Sequence, residues 1–150
     1  MPHTYGIDIH GTLACRRPDK TVGPSTLYPL LSELMKVWMA KGDTVYILSG
    51  PPFQEIQKEV ASLGLIKGVH YTFLISMVDH LRVTGATMWE DPPGSNHWWT
   101  DPADWNKAKG RLAKAHGIDT IIDDEVAYRE AMPPTTTFIL VTAELLKGAL

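Results

Sequence analysis

The chain has 150 residues, 44% of them hydrophobic and 21% charged, with a net charge of −3. That length suits one domain spanning residues 1–150, able to bury roughly 68–70% of its unfolded surface. The charge balance lacks the basic footprint of a duplex-binding protein, so no duplex nucleic acid is expected as a partner. No apolar run approaches the roughly 18 residues that a bilayer-spanning helix needs, so no membrane partner is expected. A single cysteine, Cys15, excludes an intramolecular disulfide and a CxxC metal site. Met1-Pro2-His3-Thr4 lacks the charged and apolar regions of a signal peptide, so the expected compartment is the cytoplasm.

Residues 5–9 read as a first strand, short and apolar, breaking at Asp8. Gly11 permits a sharp turn there and Thr12 can hold it through its hydroxyl. Residues 14–24 are polar and punctuated by Pro18 and Pro24, which predicts a loop. Arg16, Arg17 and Lys20 lie in it near the mouth of the sheet, either solvated or helping to bind an anion. Ser25 and Thr26 are candidate N-caps for a helix in which Leu27, Leu30, Leu31, Leu34, Met35, Val37 and Trp38 recur at helical spacing. That helix ends near Lys41-Gly42.

Thr44 to Leu48 is apolar without alternation, the mark of a strand buried on both faces in a parallel sheet, and it ends at Ser49-Gly50-Pro51-Pro52. A second helix is predicted from about Phe53 to Leu63, with Gly64 as its stop, and a third strand from Tyr71 to Ile75. Residues 76–84 are ambiguous. Residues 85–104 are turn-rich and hold Trp89, Trp98 and Trp99, with Trp105 just after. So long a loop is unusual in a compact domain. It is either a connection pinned to the surface by its tryptophans or an aromatic wall beside the site, able to pack on a sugar or base. A helix from Trp105 to His116 follows, then a fourth strand, Asp119 to Ile122, running into Asp123-Asp124-Glu125. A short helix near 126–131, a fifth strand from Thr137 to Val141 and a terminal helix from Ala143 to Leu150 complete the chain.

Strand and helix alternate throughout. The expected fold is α/β: a three-layer Rossmann-like sandwich around a mainly parallel sheet of about five strands, with right-handed crossovers. Ligands bind such sheets at the carboxyl ends of the strands. Asp8, Ser49-Gly50 and Asp123-Asp124 stand at those ends, and Lys107 and Lys109 lie on the preceding helix. The set suits phosphoryl transfer. Carboxylates can hold Mg²⁺, an oxygen on Asp8 can attack phosphorus, and a hydroxyl with backbone N–H groups can bind phosphoryl oxygens. A lysine balances the charge. Without a cation, Asp8, Asp123 and Asp124 would raise one another's pKa. Ser49 has no adjacent His-Asp pattern, which argues against a serine hydrolase, and His70, His80, His97 and His116 lack metal-ligand spacing.

The chain resembles the haloacid dehalogenase-like (HAD) hydrolase superfamily, whose four signatures can be found in order. Asp8-Ile9-His10-Gly11-Thr12 matches Asp-x-Asp-Gly-Thr, and Tyr46-Ile47-Leu48-Ser49-Gly50 a strand ending in Ser or Thr. A helix-borne lysine and the acidic strand end Ile121-Ile122-Asp123-Asp124 complete the set. The resemblance implies a phosphatase- or nucleotidase-like hydrolase acting on a small phosphorylated metabolite or nucleotide. It implies Asp8 as nucleophile, and Asp8, the His10 carbonyl and Asp123 as Mg²⁺ ligands, with Asp124 beside them. Ser49 and Gly50 would bind phosphate together with the lysine. Lys109 is preferred for that role and Lys107 is the alternative; they point roughly 200° apart on a helix, so at most one faces the site. The motif intervals leave no room for a full cap domain, and the tryptophan loop is a candidate partial substitute.

His10 departs from the family pattern, whose phosphatases place there an Asp that protonates the leaving group and then activates water. Three readings are open. His10 replaces that acid/base, its ordinary pKa of about 6.5 being suitable; or the enzyme is slow or accumulates its phosphoenzyme; or the domain has lost chemistry and is a metal-, phosphate- or protein-binding module.

Overall fold

A computed structural model describes residues 2–16, 19 and 21–142. The expected terminal helix over 143–150, and Arg17 and Lys20, read as either solvated or helping to bind an anion, lie outside the described residues.

The fold is α/β. Its sheet has five parallel strands: β1 (Thr4–Ile7), β4 (Thr44–Ser49), β5 (Phe73–Ser76), β8 (Thr120–Asp123) and β9 (Thr137–Leu140). Their order across the sheet is β5-β4-β1-β8-β9. From β1 the chain builds outward through β4 to β5. It then returns to the other side of β1 with β8 and β9. The reversal puts a topological switch point between β1 and β8, where open α/β sheets form a crevice at their carboxyl ends.

Both faces of the sheet are buried, which explains why β4 and β8 carry apolar residues without alternation. Ile47 and Ile122 point into one core with Leu31 and Met35 of α1 (Tyr28–Ala40) and Ile56 and Val60 of α2 (Phe53–Ser62). Leu48 and Ile121 point into the other, with Met77 and Leu81 of α3 (Met77–Val83) and Ala108 and Leu112 of α4 (Pro102–Ala115). A 3₁₀ helix, Val126–Ala131, packs its Tyr128 into the second core. The result is three layers, compatible with a Rossmann-like fold. Among the described residues no helix is long and apolar enough to cross a membrane.

Several boundaries differ from expectation for local reasons. Residues 14–24 are not simply a loop: β2 (Ala14–Arg16) pairs antiparallel with β3 (Val22–Pro24). Residues 85–104 likewise contain an antiparallel hairpin, β6 (Met88–Glu90) with β7 (Trp98–Thr100), placing Trp89 opposite Trp99. Both ribbons lie outside the main sheet and their strands are 3 residues long, too short to show an apolar pattern. Neither Ser25 nor Thr26 is the N-cap of α1; that position is Leu27, and the Ser25 hydroxyl instead donates to the Thr12 carbonyl. The ambiguous stretch is α3, capped by Ser76 Oγ, which accepts from Asp79 N at 3.1 Å. Helix α4 starts earlier than expected, because Asp101 caps it by accepting from Ala103 N at 2.8 Å and Pro102 opens its first turn.

Two positions give stability predictions. A Cβ on Gly110 would run into the Ala131 carbonyl. Gly110→Ala therefore destabilises despite alanine's better helix propensity, by about 2 kcal/mol in urea unfolding, the scale of overpacking in a tight interior. The second concerns His70, whose Nδ1 accepts the Ile66 N–H at 3.0 Å. Burial, with help from Lys36, holds its pKa below the usual histidine value. A basic group with a depressed folded pKa binds fewer protons than the unfolded chain, so its stabilising effect is lost as pH falls below about 6.5. The urea-midpoint gap between wild type and His70→Gln narrows on going from about pH 7.5 to about pH 5.5.

Candidate functional site

Asp8 follows β1 directly, and its backbone N–H donates to the Ile122 carbonyl at 3.0 Å, continuing the pairing with β8 beyond the strand end. The chain then turns back on itself: Thr12 N donates to the Ile9 carbonyl at 3.1 Å and Gly11 N to the Ala14 carbonyl at 2.7 Å. Gly11 is required twice. Its φ is +84°, and a Cβ there would collide with the Asp124 carboxylate. The Thr12 hydroxyl lies 3.5 Å from Asp8 Oδ2.

Across the switch point, β8 delivers Asp123, whose Oδ1 accepts from Glu125 N at 3.0 Å. Helix α4 sends Lys109 between the two acids. Its Nζ donates to Asp8 Oδ1 at 3.0 Å and to Asp123 Oδ2, and lies 4.6 Å from the centre of the Tyr128 ring. The Tyr128 hydroxyl in turn accepts from Trp105 Nε1 at 2.8 Å. Lys109 is 2% exposed, Asp8 7% and Asp123 1%, so this is a desolvated charge cluster rather than a surface pair.

Its electrostatics are unbalanced. Burial pushes the Asp8 carboxyl up to about 7; Lys109 pulls it down and Asp123 pushes it further up. Burial also raises Asp123, against Lys109. Burial alone would depress Lys109, but Asp8, Asp123 and Tyr128 hold its ammonium above the ordinary lysine value. One ammonium faces two buried carboxylates, and Asp124 adds a third. Oxygens of Asp8, Asp123 and Asp124 lie within 4.8 Å of one another. Hard oxygen donors this close, short of positive charge, fit a Mg²⁺ ion that keeps part of its water shell. Ser49 supplies a further sign: its Oγ is wholly buried and has no hydrogen-bond partner among the described residues, an arrangement that calls for an explanation in a native site.

A cavity of about 250 Å³ opens over these groups, lined by Asp8, Ser49, Gly50, Lys109 and Asp123 among others. Asp8, His10, Ser49, Gly50, Lys109, Asp123 and Asp124, all expected from the sequence, therefore meet at one place. Lys107 does not: it lines a groove with Arg111 and Glu130. His10 reaches the cavity, but its ring turns toward α2, with Nε2 at 3.1 Å from Glu59 Oε1 and 3.0 Å from Oε2. That hydrogen bond raises the imidazole pKa, with burial opposing it. Arg16 lines a second, adjoining cavity, as do His97, Trp98 and Trp99. His70, His80 and His116 stay outside both cavities.

Glu59 and Tyr128 were not foreseen, and Trp105 was named only with the tryptophans of the 85–104 loop. Glu59 has no sequence signal linking it to His10, since the pair forms only when α2 packs beside the β1 turn. Tyr128 and Trp105 form a shelf under Lys109 that likewise depends on tertiary packing. No protein-family model matches the chain, and no curated protein matches it.

Lys109→Met leaves Asp8 and Asp123 buried without their ammonium. In Mg²⁺-free urea unfolding we expect a loss of about 3 kcal/mol. Combining it with Asp8→Asn should cost less than the sum of the single changes, because the two side chains share one interaction.

Proposed function

We propose that the chain is a Mg²⁺-dependent phosphohydrolase, HAD-like in fold and chemistry, that works through an aspartyl-phosphate on Asp8. The observation that carries this reading is the buried Lys109 ammonium bridging Asp8 and Asp123, beside Asp124 and the unpartnered Ser49 hydroxyl. Together these groups supply a nucleophile, cation ligands and phosphoryl-oxygen donors within one small cavity. The substrate is a small phosphorylated metabolite or nucleotide, and the setting is the cytoplasm.

Asp8, Asp123 and Asp124 would hold the ion, with the His10 carbonyl as the ligand carried over by resemblance. Mg²⁺ when bound supplies charge neutralisation for the carboxylates and the phosphoryl group. Ser49 Oγ and the Lys109 ammonium bind phosphoryl oxygens, and Lys109 orients the Asp8 carboxylate through its 3.0 Å hydrogen bond. An Asp8 oxygen forms a bond to phosphorus as the bond to the leaving oxygen breaks. The protonated His10 imidazole gives that oxygen its proton, and Glu59 stabilises the imidazolium beforehand. The neutral imidazole then takes a proton from water, whose oxygen attacks phosphorus. The Asp8–phosphorus bond breaks, releasing inorganic phosphate and regenerating the carboxylate.

The His10–Glu59 pair also favours a second reading. An imidazole already engaged by a carboxylate on α2 is consistent with a domain that binds metal, phosphate or a protein and turns over slowly or not at all.

Kinetics with an aryl phosphate and Mg²⁺ separate the two. On the enzymatic reading, Asp8→Asn abolishes turnover and His10→Asn lowers kcat about 10²-fold or more. Wild type no faster than Asp8→Asn, across nucleotides and sugar phosphates, would leave the binding module. A large rate gain in His10→Asp would mark His10 as a handicap. Mg²⁺ should also raise Tm in proportion to the logarithm of its concentration, and Asp123→Asn should remove most of that rise.

A further inference from the structure

The cavity over Asp8 is not closed on the side of His10. It adjoins a larger one of about 390 Å³, and the two share His10, Gly50, Pro51 and Trp105. A phosphoryl group seated at Asp8 would direct whatever it is esterified to into this second space. The space has aromatic walls from Trp98, Trp99 and Trp105, carboxylates from Glu55 and Glu59, and the Arg16 guanidinium and His97 imidazole at its edge.

The aromatic wall is fixed by bonds internal to the protein. Trp98 Nε1 donates to Asn96 Oδ1 at 3.0 Å, and its ring lies 4.5 Å from the Arg82 guanidinium. Asn96 Nδ2 donates to Glu55 Oε1 at 3.4 Å, tying the hairpin to α2. Glu90 accepts from Gly94 N at 2.6 Å and Asn96 N at 2.9 Å, which holds the hairpin tip. Trp99 Nε1 donates to the Asp91 carbonyl and Trp105 Nε1 to the Tyr128 hydroxyl. All three indole N–H groups are thus engaged elsewhere, so what these side chains have left to offer a ligand is aromatic carbon surface. Glu55, already held by Asn96, and Glu59, held by His10, keep lone pairs that can accept further hydrogen bonds. The complementary ligand has a planar ring to stack and hydroxyl or amino donors to meet Glu55 and Glu59.

We propose that the β6–β7 hairpin and α2 form a leaving-group subsite for a nucleoside, so that the substrates are nucleoside monophosphates. The base stacks among Trp98, Trp99 and Trp105, and the pentose hydroxyls face the carboxylates. This inference rests on the phosphoryl site at Asp8, and its test has one arm that needs no chemistry. Adenosine, which has no phosphate, is titrated into the full chain and followed by tryptophan fluorescence, with glucose and ribose 5-phosphate as comparisons. Adenosine should quench the signal and bind at least about tenfold more tightly than either comparison, and Trp98→Ala should weaken it about tenfold, the scale of losing one stacking partner. Trp99→Ala gives the same reading if Trp98→Ala does not fold. In the second arm, the ratio of kcat/KM for adenosine monophosphate over glycerol phosphate falls about tenfold in the same variants. Adenosine binding without turnover of any ester would overturn the phosphohydrolase reading and leave the subsite standing. Turnover without preference for nucleotides, or adenosine binding no tighter than glucose, would overturn the subsite.

Discussion

The Lys109 ammonium, buried between Asp8 and Asp123, is the interaction on which the site depends. Removing a lysine and two aspartates from water is costly, and their mutual attraction recovers the cost only with close geometry. Three separate elements must therefore agree on one position: the end of β1, the end of β8 and the interior face of α4. Parallel pairing of β1 with β8 sets the first two side by side, with Ile7 opposite Ile122. The third is set by packing of Ala108, Leu112 and Ala113 into the core beneath the sheet. A natural core would favour apolar residues at these depths. Keeping a charge cluster there, still short of positive charge, is more readily understood as preparation for an anionic ligand and a cation than as a source of stability.

Much of this was legible in the sequence, because the signals were local. Unbroken apolar runs at Thr44–Leu48 and Thr120–Ile122 have few readings other than strands covered on both faces, and they brought the acids at their ends into view. Lys109 was preferred over Lys107 on the spacing to Asp123 that the family resemblance implies; helical geometry added only that at most one of the two faces the site. The illegible parts were those decided by long-range packing. The strands of the two hairpins are 3 residues each, too short for a period to be detected. His10 could be weighed as an acid/base, but not paired with Glu59, which lies on α2, far along the chain, and meets it only across the mouth of the site.

That pairing ties the question of chemistry to that of substrate. His10 and Glu59 both line the larger cavity, and His10 lines the smaller one as well. The imidazole therefore stands at the passage between the two cavities, which on the proposed reading is where the leaving oxygen of an ester would lie. A group placed there can serve proton transfer and leaving-group recognition together. A carboxylate at the same position would meet Glu59 as a like charge, whereas an imidazole meets it as a partner.

The glycines complete the argument at atomic scale. Gly11 leaves room for the Asp124 carboxylate, Gly50 lies against the Trp105 ring, and Gly110 accepts the Ala131 carbonyl. Each stands at a contact between an element bearing a site residue and its neighbour. Gly110 is the most telling, because it immediately follows Lys109. Without a side chain at 110, α4 can lie directly on the backbone of the 3₁₀ helix. That close approach brings Tyr128 under the ammonium and lets a long, flexible lysine be held rather than merely admitted. Lys109 owes its position as much to the residue missing a side chain beside it as to the carboxylates it meets.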